Sequence, residues 1–304
     1  ASLFAFDTET TGLSPRLDRL VGISFATKPG TAWFVAVPRE FEEARQMVAL
    51  FAPAFADPKK VRIGHNAKFD MTILERYGIV FGAPPHDSLL EHYCLDAAER
   101  HGMDPLAREF LHYDPIPIEK LIGEKQRGTE QANMGDLAPE DICEYAAEDA
   151  DVTLRLDAVL RPKVKEAGAL KALEGSEEPL ADILVAMERE GVKIDTAALK
   201  AYGHELEHEI LGLMQSIKSY GSIDNLDSPK QLGEFLFGKL GLATGKKTAG
   251  GQFSTDEKTL VKLVEEHPVI QQILDYRACT KLKSTYVDKL PACIDPADGR
   301  VHTT

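Results

Sequence analysis

The sequence predicts an α/β domain with a mixed sheet flanked by helices, followed by an all-helical region. Short strand-like segments come first as a group joined by a tight turn and then alternate with helical patterns, which is typical of α/β layer folds with a mixed sheet. After about residue 175 the strand signals stop and only amphipathic helical patterns remain. We therefore expect two domains, residues 1–175 and 176–304, each long enough to bury its own core.

The strands of the first domain are short apolar runs bounded by turn residues. They are predicted at 2–7, 20–27, 32–38, 61–66 and 79–82, with Lys28–Thr31 (KPGT) as the turn of a hairpin. Helical spacing of apolar residues predicts helices at 41–55, 67–78, 87–98, 104–111 and 139–168. The last of these is the longest, and we expect Pro162 to bend or break it.

Four further helices are predicted in the second region. Their ranges are 177–191, 195–221, 228–241 and 254–267. Asp195, Ser228 and Ser254 precede three of them and are good N-cap residues, because a short side-chain oxygen accepts a hydrogen bond from a free amide of the first turn.

The net charge of the 304 residues is −14 and is unevenly distributed. Residues 226–304 hold 11 Lys and Arg against 10 Asp and Glu, so residues 1–225 hold 24 against 39 and carry −15. This argues against binding to nucleic acid by general electrostatic adhesion, but an acidic protein can still bind an anion if it recruits a divalent metal. No apolar run approaches the roughly 18–20 residues of a membrane span, and the four cysteines have no metal-ligand spacing.

Acidic residues lie at three separated places in the first domain. Asp7 and Glu9 are two apart at the end of a strand, so both side chains lie on one face of the sheet. Tyr145 and Asp149 are four apart in a helix and also share a face. Asp70 lies near the start of the helix that follows GHN (64–66). Two adjacent carboxylates repel each other, and folding tolerates this poorly without a cation between them.

Each acid by itself also has an ordinary structural interpretation. Asp7 could be a solvated turn residue, Asp70 a partner of the helix dipole, and Asp149 part of a hydrated helix face. Taken together, the acids indicate a site for hard cations, Mg²⁺ or Mn²⁺, which prefer oxygen ligands. Two such ions activate a water molecule and stabilise the leaving oxygen of a phosphodiester.

Three motifs carry a family resemblance: FDTETTGL (6–13), GHNAKFD (64–70) and YAAEDAD (145–151). In order and context they resemble the DEDD 3′–5′ exonucleases with a tyrosine in the third motif. More narrowly, they are similar to the proofreading domain of the family A bacterial DNA polymerases. The resemblance implies a ribonuclease H-like exonuclease domain.

The resemblance also implies roles for individual residues. Asp7 would bridge two Mg²⁺ or Mn²⁺ ions, Glu9 and Asp149 would complete the first site, and Asp70 would serve the second; Zn²⁺ is an alternative in one site. Tyr145, with Glu9, would orient the attacking water. The residues implied to contact the terminal nucleotides are Thr8, Leu13 (as a wedge), His65 and Asn66. His65 stands where we expect a glutamine in this family.

The second region resembles the thumb of the same polymerases in four segments: 225–242, 245–260, 276–291 and 299–304. The resemblance implies that Asn225, Ser228, Lys246, Lys247, Arg277 and Lys281 contact duplex DNA. Lys246 and Lys247 lie in a glycine-rich loop able to follow a DNA backbone, although a solvated loop has the same composition. Arg277 and Lys281 share a helix face, which also describes an ordinary exposed stripe.

Three functional hypotheses follow. The first is a metal-dependent exonuclease that removes nucleoside monophosphates from single-stranded or frayed 3′ ends of DNA. The others are an RNA 3′-end exonuclease of the same fold and a catalytically silent DNA-holding module. In the family, GRVHTT (299–304) leads into the palm, followed by the fingers, so we expect these 304 residues not to polymerise. The resemblance further implies a monomeric, cytoplasmic bacterial protein whose partners are DNA and the polymerase palm and fingers.

Overall fold

The computed structural model describes residues 2–125, 131–242, 251 and 253–303. Backbone contacts group the chain into two compact units, Ala1–Glu190 and Gly191–Thr304. The division lies later than the predicted boundary near Gly175, because helix Glu178–Glu190 packs within the first unit. Two ion pairs, Lys68–Glu188 and Glu75–Arg189, bind this helix to the helix Ala67–Arg76.

The first unit contains a five-stranded mixed sheet in the order β3-β2-β1-β4-β5. Its strands are β1 (Leu3–Thr10), β2 (Leu20–Lys28), β3 (Thr31–Ala36), β4 (Val61–Gly64) and β5 (His86–Asp87). Strand β2 is antiparallel to β1 and β3, whereas β4 is parallel to β1 and β5. The hairpin between β2 and β3 turns at Gly30, whose φ of 74° favours glycine. The mixed sheet flanked by helices confirms the predicted fold class.

Nine helices of the described part of this unit surround the sheet. They are α1 (Phe41–Val48), α2 (Ala52–Ala56), α3 (Ala67–Arg76), α4 (Ser88–Leu95), α5 (Met103–Leu111), α6 (Glu119–Ile122), α7 (Pro139–Glu166), α8 (Leu170–Ala172) and α9 (Glu178–Glu190). Helix α7 packs on β1, β2 and β3, and its N-terminal half therefore lies over the middle of the sheet. An aromatic cluster fills the core between the sheet and α1–α3, with the Phe55 ring edge-on to Phe4 and Phe6 at 5.3 and 5.2 Å.

Two local predictions for this unit are wrong. Residues 79–82 form no strand: Ile79 is buried, and Gly82 N donates to Phe55 O at 3.0 Å instead of joining a ladder. A short apolar run indicates burial but does not by itself distinguish a strand from another buried segment. Pro162 does not interrupt α7. The carbonyl that loses its partner belongs to Ala158, which is exposed to solvent, and buried Leu160 and Val164 hold the helix in place.

The second unit is mainly helical, as predicted. Its described helices are α10 (Thr196–Ser219), α11 (Pro229–Gly233), α12 (Glu257–Val261) and α13 (Pro268–Leu282), and a π-helical segment, Glu234–Lys239, extends α11. Asp195 and Ser228 are N-caps as predicted, but α12 is capped by Asp256 and not by Ser254, because it begins two residues later than expected. Three two-residue strands that were not predicted, Val192–Lys193 (β6), Ile294–Asp295 (β7) and Arg300–Val301 (β8), form a small antiparallel sheet. The core of the second unit includes the buried side chains of Ile217, Phe235 and Ile270.

Within the described residues, no helix is long and apolar enough to cross a membrane.

Candidate metal-dependent active site

The centre of the candidate site lies on β1, beyond the point where its parallel neighbour ends. Strand β4 pairs with β1 only through Leu3, Phe4 and Ala5 and stops at Gly64. The strand β1 itself continues to Thr10, three residues further than predicted, so Asp7 and Glu9 lie within it rather than at its end. Their side chains therefore project from the same face of the sheet.

Helix α7 brings a third carboxylate to this strand. Ligand atoms of Asp7, Glu9 and Asp149 all lie within 4.8 Å of one another. Glu9 and Asp149 are buried, with exposed fractions of 7% and 4%. Tyr145 lies one helical turn before Asp149, so both side chains lie on the same face of α7 and line the same cleft.

Asp70 enters the site from the first turn of α3. Its Oδ1 accepts a hydrogen bond of 2.5 Å from the Thr8 hydroxyl, and only 3% of the residue is exposed. Asp70 does not belong to the tight group of three acids. The charge of Asp7 nevertheless raises the pKa of Asp70 as well as those of Glu9 and Asp149, so Asp70 belongs to the same electrostatic group.

Burial and mutual repulsion disfavour the charged form of every acid in this group. Burial raises the pKa of Asp7 to about 7, and burial together with the Asp7 charge raises the pKa of Glu9 to about 8. The pKa values of Asp70 and Asp149 are also well above the usual range, through burial and then the charge of Asp7. Burial and the neighbouring acids raise the pKa of Tyr145 as well, so its phenol keeps its proton.

One atom of the group has no protein partner at all in the part of the chain described here. The Glu9 Oε1 atom is inaccessible to solvent and contacts no hydrogen-bond donor. A buried carboxylate oxygen without a donor costs free energy, and a divalent cation is the ligand that compensates it best when other carboxylates surround it. The all-oxygen donor set of Asp7, Glu9, Asp149 and Asp70 fits Mg²⁺ or Mn²⁺.

The acids line a cleft of about 770 Å³. Thr8, Leu13, His65, Asn66 and Tyr145 line the same cleft, so the structure brings together all of the residues predicted for the first domain. Leu13 is 95% exposed at the rim. Its turn is fixed by Thr11 N, which donates to Arg19 O at 2.9 Å, and by Ser14 N, which donates to Asp18 Oδ2 at 2.7 Å.

His65 is held by its neighbours. Its Nδ1 lies 2.9 Å from Ser88 Oγ, which in turn donates to Gly64 O at 3.2 Å. Burial lowers the pKa of His65 to about 4, so the imidazole is neutral at physiological pH. The ring offers a hydrogen bond to the cleft but no positive charge.

Sequence reasoning missed Asp87, which positions the α3 side of the cleft. Its Oδ1 and Oδ2 accept hydrogen bonds of 2.9 and 2.8 Å from Asn66 N and Ala67 N, where Asn66 adopts a left-handed conformation (φ 58°). The same carboxylate caps α4 through Leu89 N. The signal was present, since an aspartate directly before a helical pattern is a typical N-cap.

The residues predicted to bind DNA in the second unit are only partly available. Lys246 and Lys247 lie outside the described residues. The Asn225 side chain accepts from Asp227 N at 2.9 Å, and Ser228 caps α11. Arg277 Nη1 donates to Thr255 O at 2.5 Å, so this guanidinium is partly used within the unit, whereas Lys281 is exposed.

Comparison with known proteins agrees with the geometry. The sequence pattern of the 3′–5′ exonuclease family matches residues 1–165, and that of DNA polymerase family A matches residues 196–304. DNA polymerase I of Pseudomonas aeruginosa is 40% identical over 100% of this chain and 34% of its own length, and that of Chloroflexus aurantiacus is 37% identical over 100% and 33%. The chain thus spans about a third of the length of these relatives.

A solved structure has the same fold over the whole chain. It is the POL domain of Pol1 from M. smegmatis in complex with a DNA primer-template and dNTP, with a TM-score of 0.78 and 26% identity over 100% of this chain and 48% of that one. The predicted resemblance is confirmed: the chain belongs to the 3′–5′ exonuclease family in the form that occurs in bacterial family A DNA polymerases.

Proposed function

We propose that the first unit is a metal-dependent 3′–5′ exodeoxyribonuclease that removes nucleoside monophosphates from single-stranded or frayed 3′ ends, as a proofreading activity. The observation that carries the proposal is the convergence of Asp7, Glu9, Asp149 and Asp70 in one cleft, with a buried Glu9 oxygen that contacts no donor in the described structure. Membership of the exonuclease family supports the same reaction.

In this proposal Asp7, Glu9 and Asp149 hold one divalent ion, and Asp7 with Asp70 holds the second. The bound ions would activate water and stabilise the leaving 3′ oxygen. Glu9 and the protonated phenol of Tyr145 orient the attacking water through hydrogen bonds. The Thr8 hydroxyl fixes Asp70 in the position that the second subsite needs.

Residues at the rim of the cleft bind the 3′ end of the DNA in this proposal. Leu13, an almost fully exposed apolar side chain beside a polar cleft, packs against the terminal base and favours a frayed strand. Neutral His65 and Asn66 contact the last nucleotides through hydrogen bonds. The proposal also assigns duplex contacts to the second unit, where exposed Lys281 is the described side chain best placed to meet a phosphate.

The test uses a 5′-labelled single-stranded DNA oligonucleotide and the full 304-residue chain in Mg²⁺. We expect stepwise shortening from the 3′ end by the wild type, loss of shortening with EDTA, and none by Asp7→Ala. The matched control is Glu42→Gln, which removes an exposed acid of α1 that pairs with Arg45 and does not line the cleft. This variant should digest the oligonucleotide like the wild type. Equal shortening by wild type and Asp7→Ala, or none by the wild type, would contradict the proposal.

The other hypotheses give distinct outcomes in the same assay. An RNA-specific enzyme would shorten an RNA oligonucleotide and leave DNA intact. A silent DNA-holding module would shorten neither and would show no saturable Mn²⁺ binding in a calorimetric titration. We also expect no extension of a primer when dNTPs are added to these 304 residues.

A further inference from the structure

A second group of potential ligands lies in the first unit, away from the acids of the cleft. It consists of His86 on β5, Glu91 on α4 and Asp157 on α7, whose ligand atoms lie within 4.8 Å of one another. His86 Nδ1 is 2.9 Å from Asp157 Oδ1. Asp157 follows Asp149 by two turns of α7, or about 12 Å along the helix axis, so the two groups occupy different places on the same helix.

Glu91 lies at the centre of this second group and is fully buried, with an exposed fraction of 0%. Its Oε1 accepts a hydrogen bond of 3.1 Å from Arg161 Nη1. Its Oε2 is also inaccessible to solvent and, within the described structure, contacts no donor. A ligand atom of Glu91 lies within 4.8 Å of ligand atoms of Asp157 and His86, so a buried carboxylate with one uncompensated oxygen adjoins two further potential ligands.

The charges around Glu91 do not balance. Arg161 donates to Glu178 Oε1 at 2.7 Å and to Glu174 Oε1 at 2.8 Å in addition to Glu91. Three carboxylates therefore share one guanidinium, and Asp157, which contacts His86, adds a fourth acid to the group. Burial and then the Asp157 charge disfavour the charged form of Glu91 and raise its pKa, against the opposing effect of Arg161.

We propose that His86, Glu91 and Asp157 form a structural Zn²⁺ site, separate from the exonuclease cleft, that ties together β5, α4 and α7. An imidazole nitrogen with two carboxylate oxygens suits zinc better than Mg²⁺, which prefers oxygen ligands and water. Ligand atoms around a tetrahedral zinc ion lie about 3.3 Å apart, so the 2.9 Å between His86 and Asp157 has to open by only a few tenths of an ångström. Water would complete the coordination.

The ion would join an edge strand of the sheet to two helices. Zinc should consequently raise the unfolding temperature of the first unit, since a ligand that binds only the folded state stabilises it.

The test must separate this site from the cleft, which also binds divalent ions in our proposal. The full chain carrying Asp7→Asn and Asp149→Asn serves as the background, because it disables the cleft and leaves the second group intact. Bound zinc is measured by equilibrium dialysis and elemental analysis, with circular dichroism as the folding control.

We expect one zinc per chain in the background variant. Adding His86→Gln or Asp157→Asn should weaken zinc binding at least about tenfold. Zinc should raise the unfolding temperature only of variants in which the site is intact. His86 is partly exposed, so His86→Gln should fold even if a change at buried Glu91 does not. His208→Gln, at an exposed histidine of α10, is the matched control and should bind zinc like the background. Absence of zinc from the background, or zinc that His86→Gln and Asp157→Asn leave unchanged, would overturn the proposal and indicate that Glu91 and Asp157 share a proton instead. Neither result depends on nuclease activity.

Discussion

The two units of the molecule differ in the burial of acidic side chains. The first unit buries eight of them: Glu9, Asp70, Asp87, Glu91, Asp149, Asp157, Glu178 and Glu188. Among the described residues of the second unit no acid is buried, and the core is built from residues such as Ile217, Phe235 and Ile270. Buried carboxylates cost free energy unless they are compensated. The first unit therefore carries a cost that the described part of the second unit avoids.

Six of these eight buried acids fall into two classes. Asp87 accepts three backbone amides, Glu188 pairs with Lys68 at 2.5 Å, and Glu178 pairs with Arg161. These acids are compensated by the protein and have structural roles. Glu9, Asp149 and Asp70 adjoin one another around Asp7, whose charge, together with burial, raises the pKa of each. The compensated acids hold the fold together, whereas the acids around Asp7, the uncompensated class, mark a place for an external cation.

The largest expected effect tests the uncompensated class. Asp149→Asn should lower the rate of DNA hydrolysis by about 10³-fold or more, because a metal ligand contributes several kcal/mol of transition-state stabilisation. The same change should raise the free energy of unfolding of the metal-free protein, since it removes a like charge from beside Asp7 and Glu9. Single-turnover kinetics and urea denaturation in EDTA measure the two effects. An active or destabilised variant would place Asp149 in the compensated class.

The next effect tests the apolar core of the second unit. Phe235 is 1% exposed, and Phe235→Ala should lower the stability of that unit by about 3–4 kcal/mol. Hydrolysis of a short single-stranded oligonucleotide should be unchanged at a temperature where the variant is folded, because the acids lie in the other unit. Differential scanning calorimetry and the nuclease assay report on each part. A loss of hydrolysis in the folded variant would show that the two units are not independent in this way.

The pH dependence of stability tests the acids of the cleft without a mutation. Asp7 and Glu9 have pKa values of about 7 and 8 in the folded protein, above their ordinary values, so the folded state binds more protons than the unfolded state at pH values between the ordinary and the raised pKa. The free energy of unfolding of metal-free protein should therefore fall by about 5 kcal/mol from pH 5.5 to pH 8.5. Over the same range Mg²⁺ affinity and hydrolysis should rise as the carboxylates ionise.

Glu9→Gln is the control for this pH effect, and it should flatten the stability profile measured by denaturation in EDTA. A profile that rises with pH, or that Glu9→Gln leaves unchanged, would show that the acids of the cleft are compensated in the metal-free protein.

A smaller effect is expected at Tyr145. Its pKa is raised by burial and by the surrounding acids, so it acts as a protonated hydrogen-bond donor and not as a base. Tyr145→Phe should reduce the hydrolysis rate by about 10–100-fold through poorer orientation of water, with little effect on metal affinity. Rapid-quench kinetics and Mn²⁺ titration separate these quantities. An equal loss of metal affinity would instead assign Tyr145 to the support of Asp149.

The smallest effect is expected at the rim. Leu13→Ala should slow hydrolysis of paired 3′ ends by about three- to tenfold, the worth of the lost apolar contact with a terminal base, and should affect mismatched ends less. Comparison of paired and mismatched primers measures this ratio. A uniform reduction on both substrates would show that Leu13 does not favour fraying.

Much of this arrangement follows from local sequence patterns, and the remainder depends on tertiary contacts. The period of two along β1 and the spacing of four in α7 correctly predicted which side chains share a face. The family resemblance assigned Asp70 to the same site. The patterns do not reveal where β4 stops, and it is this early end that opens the cleft beside Asp7. The interactions of Asp87 with Asn66 and Ala67 also join segments that are distant in sequence. The observed boundary between the units differs from the predicted one because of contacts between segments that are distant in sequence: two ion pairs attach α9 to α3.

The most direct test of the central claim is anomalous scattering from crystals of the 304-residue chain soaked with Mn²⁺ and a nucleoside monophosphate. We predict one manganese peak bounded by Asp7, Glu9 and Asp149 and a second between Asp7 and Asp70, with both peaks absent from Asp7→Asn crystals. Ordered carboxylates with no manganese between them, or manganese bound only elsewhere, would contradict the conclusion that these acids are held uncompensated for a cation.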